Sequence, residues 1–237
     1  MSNPYFRFKE FTIYHDRCAM KVGTDGVLLG AWANVCEKTN ILDVGAGSGL
    51  ISLMLAQRDG LLQVDALEID PAAAEQAQEN VKNSRFEKQI LVYNADFVHF
   101  AKKNVKKYDL IVSNPPFFKD SLRSPSTQRT AARHSDNLDA EDLIGLGATL
   151  LARNGTIALI YPIEFLETLL QIGEQSGLSP SRICKVFPKP EGTPKRVLIE
   201  LSLGEKECEE SELTIEIERH VYTDEFARLT HDFYLDK

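Results

Sequence analysis

The chain has 237 residues, 27 basic against 35 acidic, a formal net charge of −8, and 43% hydrophobic and 8% aromatic residues. Such values exclude a collagen-like repeat, a low-complexity disordered chain and a small disulfide-stapled scaffold. The longest apolar stretches, near Val27–Ala33 and Ile157–Tyr161, fall far short of the ~20 residues a membrane helix needs, and the Met1-Ser2-Asn3-Pro4 start lacks the basic-then-apolar pattern of a secretory signal.

The cysteines Cys18, Cys36, Cys184 and Cys208 form no CxxC pair, which predicts reduced thiols in a cytoplasmic protein and no metal site. Charge is unevenly spread. Lys119–His134 carries Lys119, Arg123, Arg129 and Arg133 against Asp120, and Lys185–Arg196 carries Lys185, Lys189, Lys195 and Arg196 against Glu191. Glu205–Glu218 holds seven glutamates and one lysine. An acidic total therefore leaves room for a local basic surface.

In chain order, residues 5–14 read as a small hairpin, with Phe6 and Phe8, then Phe11 and Ile13, sharing a face at period two. Thr24 or Asp25 is placed to cap a helix over Gly26–Ala33. Asn40–Val44 is a strand and Leu50–Arg58 a helix; Val64–Ile69 is a strand and Ala72–Asn83 a helix, started by Asp70 as cap and Pro71 as first residue. Ile90–Tyr93 and Leu110–Ser113 are further strands, and helices Leu138–Ala152 and Ile163–Ser176 flank the strand Thr156–Tyr161. Ile183–Phe187 and Arg196–Ser202, joined by the Pro188–Pro194 loop, form an antiparallel hairpin, and Leu213–Glu218 alternates like an edge strand. The alternation predicts one α/β domain: an extension over 1–39, then a core over 40–237 built on a seven-stranded, mostly parallel sheet with helices on both faces and a terminal antiparallel hairpin.

Two stretches carry chemistry. The first, Asp43-Val44-Gly45-Ala46-Gly47-Ser48-Gly49, lies between the first core strand and helix, where glycines let the backbone turn sharply and approach a ligand. It departs from the dinucleotide fingerprint G-x-G-x-x-G, because the third glycine comes one residue early and Asp43 ends the strand. A pyrophosphate is repelled by that carboxylate, whereas a cationic group is attracted. Glu68 ends the next strand, 23 residues after Gly45, where a carboxylate can hold ribose hydroxyls. A nucleoside bearing an ammonium or sulfonium group fits this combination.

The second is Asn114-Pro115-Pro116-Phe117, at the end of the strand Leu110–Ser113. The prolines fix φ and remove two backbone donors, so nearby carbonyls remain available as acceptors. Asn114 adds a side-chain carbonyl, and Phe117 a flat apolar face. Such a set suits an exocyclic amine on a planar group, whose two protons would be held by two acceptors.

These residues resemble the class I S-adenosylmethionine-dependent methyltransferases, and Asn114–Phe117 resembles the (N/D)PP(Y/F) signature of their amino methyltransferases. Over nearly the whole chain, the segment Met20-Lys21-Val22-Gly23-Thr24-Asp25, the stretch Arg129–His134 and the tail Tyr222–Leu235 are similar to the bacterial tRNA (adenine-N6)-methyltransferases acting beside the anticodon at position 37 of a valine tRNA. The resemblance implies S-adenosylmethionine as cofactor and tRNA as partner, with no metal and no obligate protein partner. It implies cofactor contacts from Gly23, Thr24 and Asp25 at the methionine end, from Asp43, Gly45, Ala46, Gly47, Glu68 and Ile69, from Asp96 and Phe97 at the adenine, and from Asn114. Catalysis falls to Asn114, Pro115, Pro116 and Phe117, and RNA contact to Lys119, Arg123, Arg129, Arg133, His134, Lys195 and Arg196. Asp70 reads as a helix cap only. The signature alone also fits a ribosomal RNA guanine-N2 or adenine-N6 methyltransferase and a protein-glutamine N5-methyltransferase. A catalytically dead nucleoside- or RNA-binding module is the competing class, and intact Asn114–Phe117 argues against it.

Overall fold

A computed structural model describes residues 3–116 and 138–235. Phe117, Lys119, Arg123, Arg129, Arg133 and His134, all expected at the site, lie outside the described residues.

The chain opens with a two-stranded ribbon, β1 (Tyr5–Arg7) and β2 (Thr12–Tyr14), followed by α1 (Thr24–Trp32). Regular alternation begins with β3 (Asn40–Val44), α2 (Leu50–Arg58), β4 (Gln63–Glu68), α3 (Pro71–Lys82), β5 (Ile90–Asn94), α4 (Phe97–Lys103) and β6 (Tyr108–Ser113). Next come α5 (Ala140–Leu150), β7 (Leu151–Pro162), a 3-10 turn over Ile163–Phe165, α6 (Leu166–Gln175), β8 (Leu178–Phe187) and β9 (Arg196–Leu203). The end of the chain adds β10 (Glu209–Thr214), the short pair β11 (Glu216–Glu218) and β12 (Val221–Tyr222), and α7 (Asp224–Thr230).

The central sheet runs β10-β8-β9-β7-β6-β3-β4-β5. Every neighbouring pair in it is parallel except those made by β9, which runs antiparallel between β7 and β8. The inner strands are buried on both faces, so β3, β6 and β9 read as near-continuous apolar runs rather than alternating ones. Two apolar clusters fill the two faces, one under α1 and α2 and the other under α4, α5 and α6. Gly30 lets α1 and α2 approach closely: a Cβ there would sit 2.8 Å from Met54 Sδ.

The sheet has eight strands rather than the expected seven. The eighth is β10, four residues upstream of the alternating run Leu213–Glu218, and it pairs parallel with β8. Its outward residues are glutamates, so alternation was hidden until Leu213, its one buried position. The expected extension also does more than precede the core, because α1 is buried over Gly26–Trp32 and joins the same apolar cluster as α2. Helix α4 was not anticipated; its seven residues are too few for a periodic signal, and its start is marked only by the Asp96 cap. Helix α5 is shorter than Leu138–Ala152 because Asp139 caps it and Leu151 is already extended, opening β7.

Candidate active site

The chain passes from β3 to β4 on one side and later returns to place β6 on the other, so β3 is the switch point at whose carboxyl end open α/β sheets bind ligands. Four adjacent strand ends meet there: Asn114 after β6, the glycine loop after β3, Glu68 at the end of β4, and Asn94–Asp96 at the end of β5. Together they span about 14 Å, three strand spacings.

The glycine loop is held open from below. Gly45 and Ala46 both donate to the Leu67 carbonyl, at 2.9 Å each. Gly45 and Gly47 have φ of +74° and +54°, and a Cβ on either would meet nothing within 4 Å. The loop therefore borders vacant space that a side chain at either position would enter. Glu68 is 9% exposed, and its oxygens accept from Gly47 N at 2.7 Å and Asp70 N at 2.9 Å. A carboxylate offers about four acceptor sites, so two remain for hydroxyls. The neighbouring Ile69 side chain is left 45% exposed, an apolar surface on the same edge.

Asp43 is completely buried. Its Oδ2 accepts from Ser52 N at 3.1 Å and Ser52 Oγ at 2.6 Å, while Oδ1 has no hydrogen-bond partner. Burial pushes its carboxyl up from 3.8 to about 6, against the opposing Ser52 bonds. An ionisable oxygen left without a partner is costly unless a cation or donor reaches it. The cradle beside Gly45 and Gly47 and this orphaned oxygen together fit a nucleoside with a cationic side arm.

Asp70 is the helix cap expected of it, accepting from Ala73 N at 2.8 Å ahead of Pro71. Asp96 also caps, its Oδ1 accepting from His99 N at 2.8 Å and lying 2.7 Å from His99 Nδ1. Phe97 is buried in the core cluster that also holds Val44 and Leu67, the residues that close β3 and β4. Ala46 is buried in the loop.

Asn114 is half-buried, Pro115 buried and Pro116 exposed. The Asn114 amide nitrogen lies 3.9 Å from the position of a Cβ on Gly26, which places the first turn of α1 beside the motif. Below it, Ser113 Oγ donates to the Val44 carbonyl at 2.7 Å, locking β6 to β3 where both strands end. The cap of α1 is Gly23, with no side-chain hydrogen bond, so neither Thr24 nor Asp25 serves as the cap. Asp25 instead pairs with Arg196, Nε to Oδ2 at 2.8 Å. Arg196 is half-buried at the start of β9, so this expected RNA contact is joined to an expected cofactor contact; Lys195 next to it is exposed.

Sequence reasoning missed the residues that fasten the chain ahead of α1. Asn80, 1% exposed, accepts from Tyr14 N at 3.0 Å and donates to the carbonyls of Tyr14 at 2.8 Å and Ser48 at 2.9 Å. Gln76, 2% exposed, accepts from Arg17 N and donates to Asp16 Oδ1, at 2.9 Å each. Their only trace in the sequence is a pair of amides four residues apart on an alanine-rich helix, which does not tell a buried face from a solvated one.

Among the described residues no group of three or more His, Cys, Asp or Glu side chains could hold a metal, and no helix is long and apolar enough to cross a membrane.

A nucleoside cradle at the switch point and an Asn-Pro-Pro edge beside it define a methyltransferase, and residues 21–159 match the family model described as the methyltransferase small domain. The fold is shared with a predicted O-methyltransferase from Agrobacterium tumefaciens, at a TM-score of 0.69 and 18% identity over 88% of this chain and 96% of that one. The chain is 52% identical over 236 residues, 99% of each chain, to the tRNA1(Val) (adenine(37)-N6)-methyltransferase of Parabacteroides distasonis. It is 44% identical, over 97% of this chain and 99% of the other, to the protein of that name from Flavobacterium psychrophilum. The chain belongs to this tRNA (adenine-N6)-methyltransferase family.

Proposed function

We propose that the protein transfers a methyl group from S-adenosylmethionine to the exocyclic N6 of an adenine in tRNA, adenine 37 beside the anticodon of tRNA1(Val). The observation that carries the chemistry is the placement of Asn114-Pro115-Pro116 beside the glycine cradle, on adjacent parallel strands. Family membership carries the substrate.

When bound, S-adenosylmethionine supplies an electrophilic methyl on a sulfonium sulfur. The chain's own residues do the rest. Glu68 would hold the ribose hydroxyls with the acceptor sites that Gly47 and Asp70 leave. Ile69 would cover one face of the adenine, and Asp96, whose cap uses Oδ1, stands at the far end of the edge. Asp43, buried at the end of β3, would favour the cationic arm through its charge, with Gly23, Thr24 and Asp25 closing that end.

At the target, the Asn114 side-chain oxygen and a backbone carbonyl of the proline pair would accept the two amine protons. That arrangement draws the nitrogen lone pair out of the ring and aims it along the line of displacement. No strong base is needed, because the nitrogen becomes acidic once it bears the methyl. Phe117 would stack on the extruded base, as aromatic side chains do where enzymes reach a nucleobase. The basic stretch Lys119–His134 and Lys195 would meet phosphates.

The test is incubation with methyl-labelled S-adenosylmethionine and, separately, unmodified tRNA, ribosomal RNA, DNA and translation-factor protein, followed by digestion to nucleosides or amino acids. Label in N6-methyladenosine from tRNA alone is the expected result. Label in ribosomal RNA or in glutamine would keep the Asn-Pro-Pro chemistry and discard the tRNA substrate.

A further inference from the structure

Between β2 and α1 the chain runs as a strap, residues 14–23, with no regular structure from His15 to Gly23. It could wander, yet it is tied down by side chains from one face of α3. Gln76 and Asn80 lie one turn apart on that face, and Ala77 adjoins it. Asn80 binds both backbone groups of Tyr14 and, with its second amide hydrogen, the Ser48 carbonyl of the glycine loop. Gln76 Oε1 accepts from Arg17 N and from Cys18 Sγ at 3.4 Å, and its amide donates to Asp16. Ala77 lies under the same loop, its Cβ 3.5 Å from where a Cβ on Gly49 would stand.

A helix face that packs on side chains is apolar. This one carries two amides because what arrives is backbone together with the polar side chains of Asp16 and Cys18, whose hydrogen-bonding groups must be paired when buried. His15 extends the tether. Its Nδ1 accepts from Val22 N at 3.3 Å, so Nε2 carries the hydrogen and donates to the Asn3 carbonyl at 3.0 Å. Val22 directly precedes Gly23, Thr24 and Asp25. Burial, and after it the negative charge of Glu68 and Asp70, raises the thiol of Cys18 to about 11.

We propose that Gln76 and Asn80 are positioning residues for the cofactor: through the strap they fix where Gly23, Thr24 and Asp25 stand relative to the glycine loop. The proposal rests on reading that edge as the S-adenosylmethionine site. Neither amide touches the ligand; both act through the strap.

The test uses Gln76→Met and Asn80→Leu, which keep side-chain bulk and remove the hydrogen bonds, with two probes, S-adenosylmethionine and 5′-methylthioadenosine. The second lacks the methionine arm. Calorimetry should show S-adenosylmethionine binding weakened by about tenfold in either variant, with 5′-methylthioadenosine binding within twofold of the wild type. Equal loss for both probes would mean that the amides merely hold the fold, and unchanged binding of both would leave the strap without a role; either overturns the proposal. Wild-type protein that binds neither probe would instead reject the cofactor reading. Should a variant fail to fold, amide exchange in the wild type decides. S-adenosylmethionine should slow exchange at the Tyr14, Arg17 and Val22 N–H groups more than 5′-methylthioadenosine does. Equal protection by the two overturns the proposal.

Discussion

Asp43 sets a pH dependence that can be worked from its surroundings. Its carboxyl is wholly buried, one oxygen is occupied by Ser52 and the other has no partner. Burial raises it from 3.8 to about 6, which amounts to about 3 kcal/mol against the ionised form. The folded value lies above the unfolded one, so the native state binds this proton more readily. The ligand-free protein should gain stability from this group as pH falls through 6 towards 4, and lose that gain as pH rises again.

A cationic ligand group needs the carboxylate. With a value of about 6, about one Asp43 in eleven is ionised at pH 5, so S-adenosylmethionine binding should be about tenfold weaker there than at pH 7.5, about 1.4 kcal/mol. Calorimetry from pH 5.0 to 7.5, in paired buffers of different ionisation heat, reads both the affinity and the proton released, about half a proton at pH 6. Asp43→Asn should bind weakly and without that slope. A wild-type affinity that is flat across the range, or a slope retained in the variant, would refute the placement of Asp43 against the cationic arm.

Three further outcomes are expected. Asn114→Ala should abolish methyl transfer while calorimetric cofactor binding stays within a few fold; parallel loss of both would contradict a role at the amine. Glu68→Ala should weaken cofactor binding by about 1–3 kcal/mol and also cost stability, since the Gly47 and Asp70 N–H groups lose their acceptor; unchanged affinity would reject the ribose assignment. Gly47→Ala should cost only about 1–2 kcal/mol in denaturant unfolding, from its φ of +54° with no clash, yet abolish cofactor binding because the methyl enters the cradle; retained binding would move the ligand elsewhere.

The legible parts of the fold were those with a period or a cap. Leu50–Arg58 was bounded correctly because a glycine turn precedes it, and α3 lies one residue from the expected bounds at each end, its start announced by Asp70 and Pro71. The Asp43–Gly49 loop, Glu68 and Asn114 were legible because each breaks an apolar run at a strand end. Tertiary pairing left no such mark. Nothing in the local sequence around Arg196 says that it meets Asp25, 171 positions away, rather than a phosphate. The anchoring roles of Gln76 and Asn80 were equally silent, since a helix with polar residues on every face reads as solvated until the strap is seen to cover one of them.

The acidic segment also makes sense only in three dimensions. In sequence, seven glutamates near the end of the chain argue against a partner made of phosphates. In the fold, β10 is the last strand of the sheet, four strands from β6 and so about 19 Å from the strand that carries Asn114. An edge strand exposes unpaired backbone groups that invite pairing with another chain, and a row of like charges on it discourages that. Two of the glutamates are answered locally, Glu209 by Arg182 and Glu210 by Lys185, at 3.8 and 3.7 Å. The negative charge thus guards the far edge of the sheet, while Lys195 stays exposed at the start of β9, two strands from β6. A net charge of −8 and an RNA substrate are compatible because the acidic strand β10 stands four strand spacings from β6, at whose end Asn114 lies.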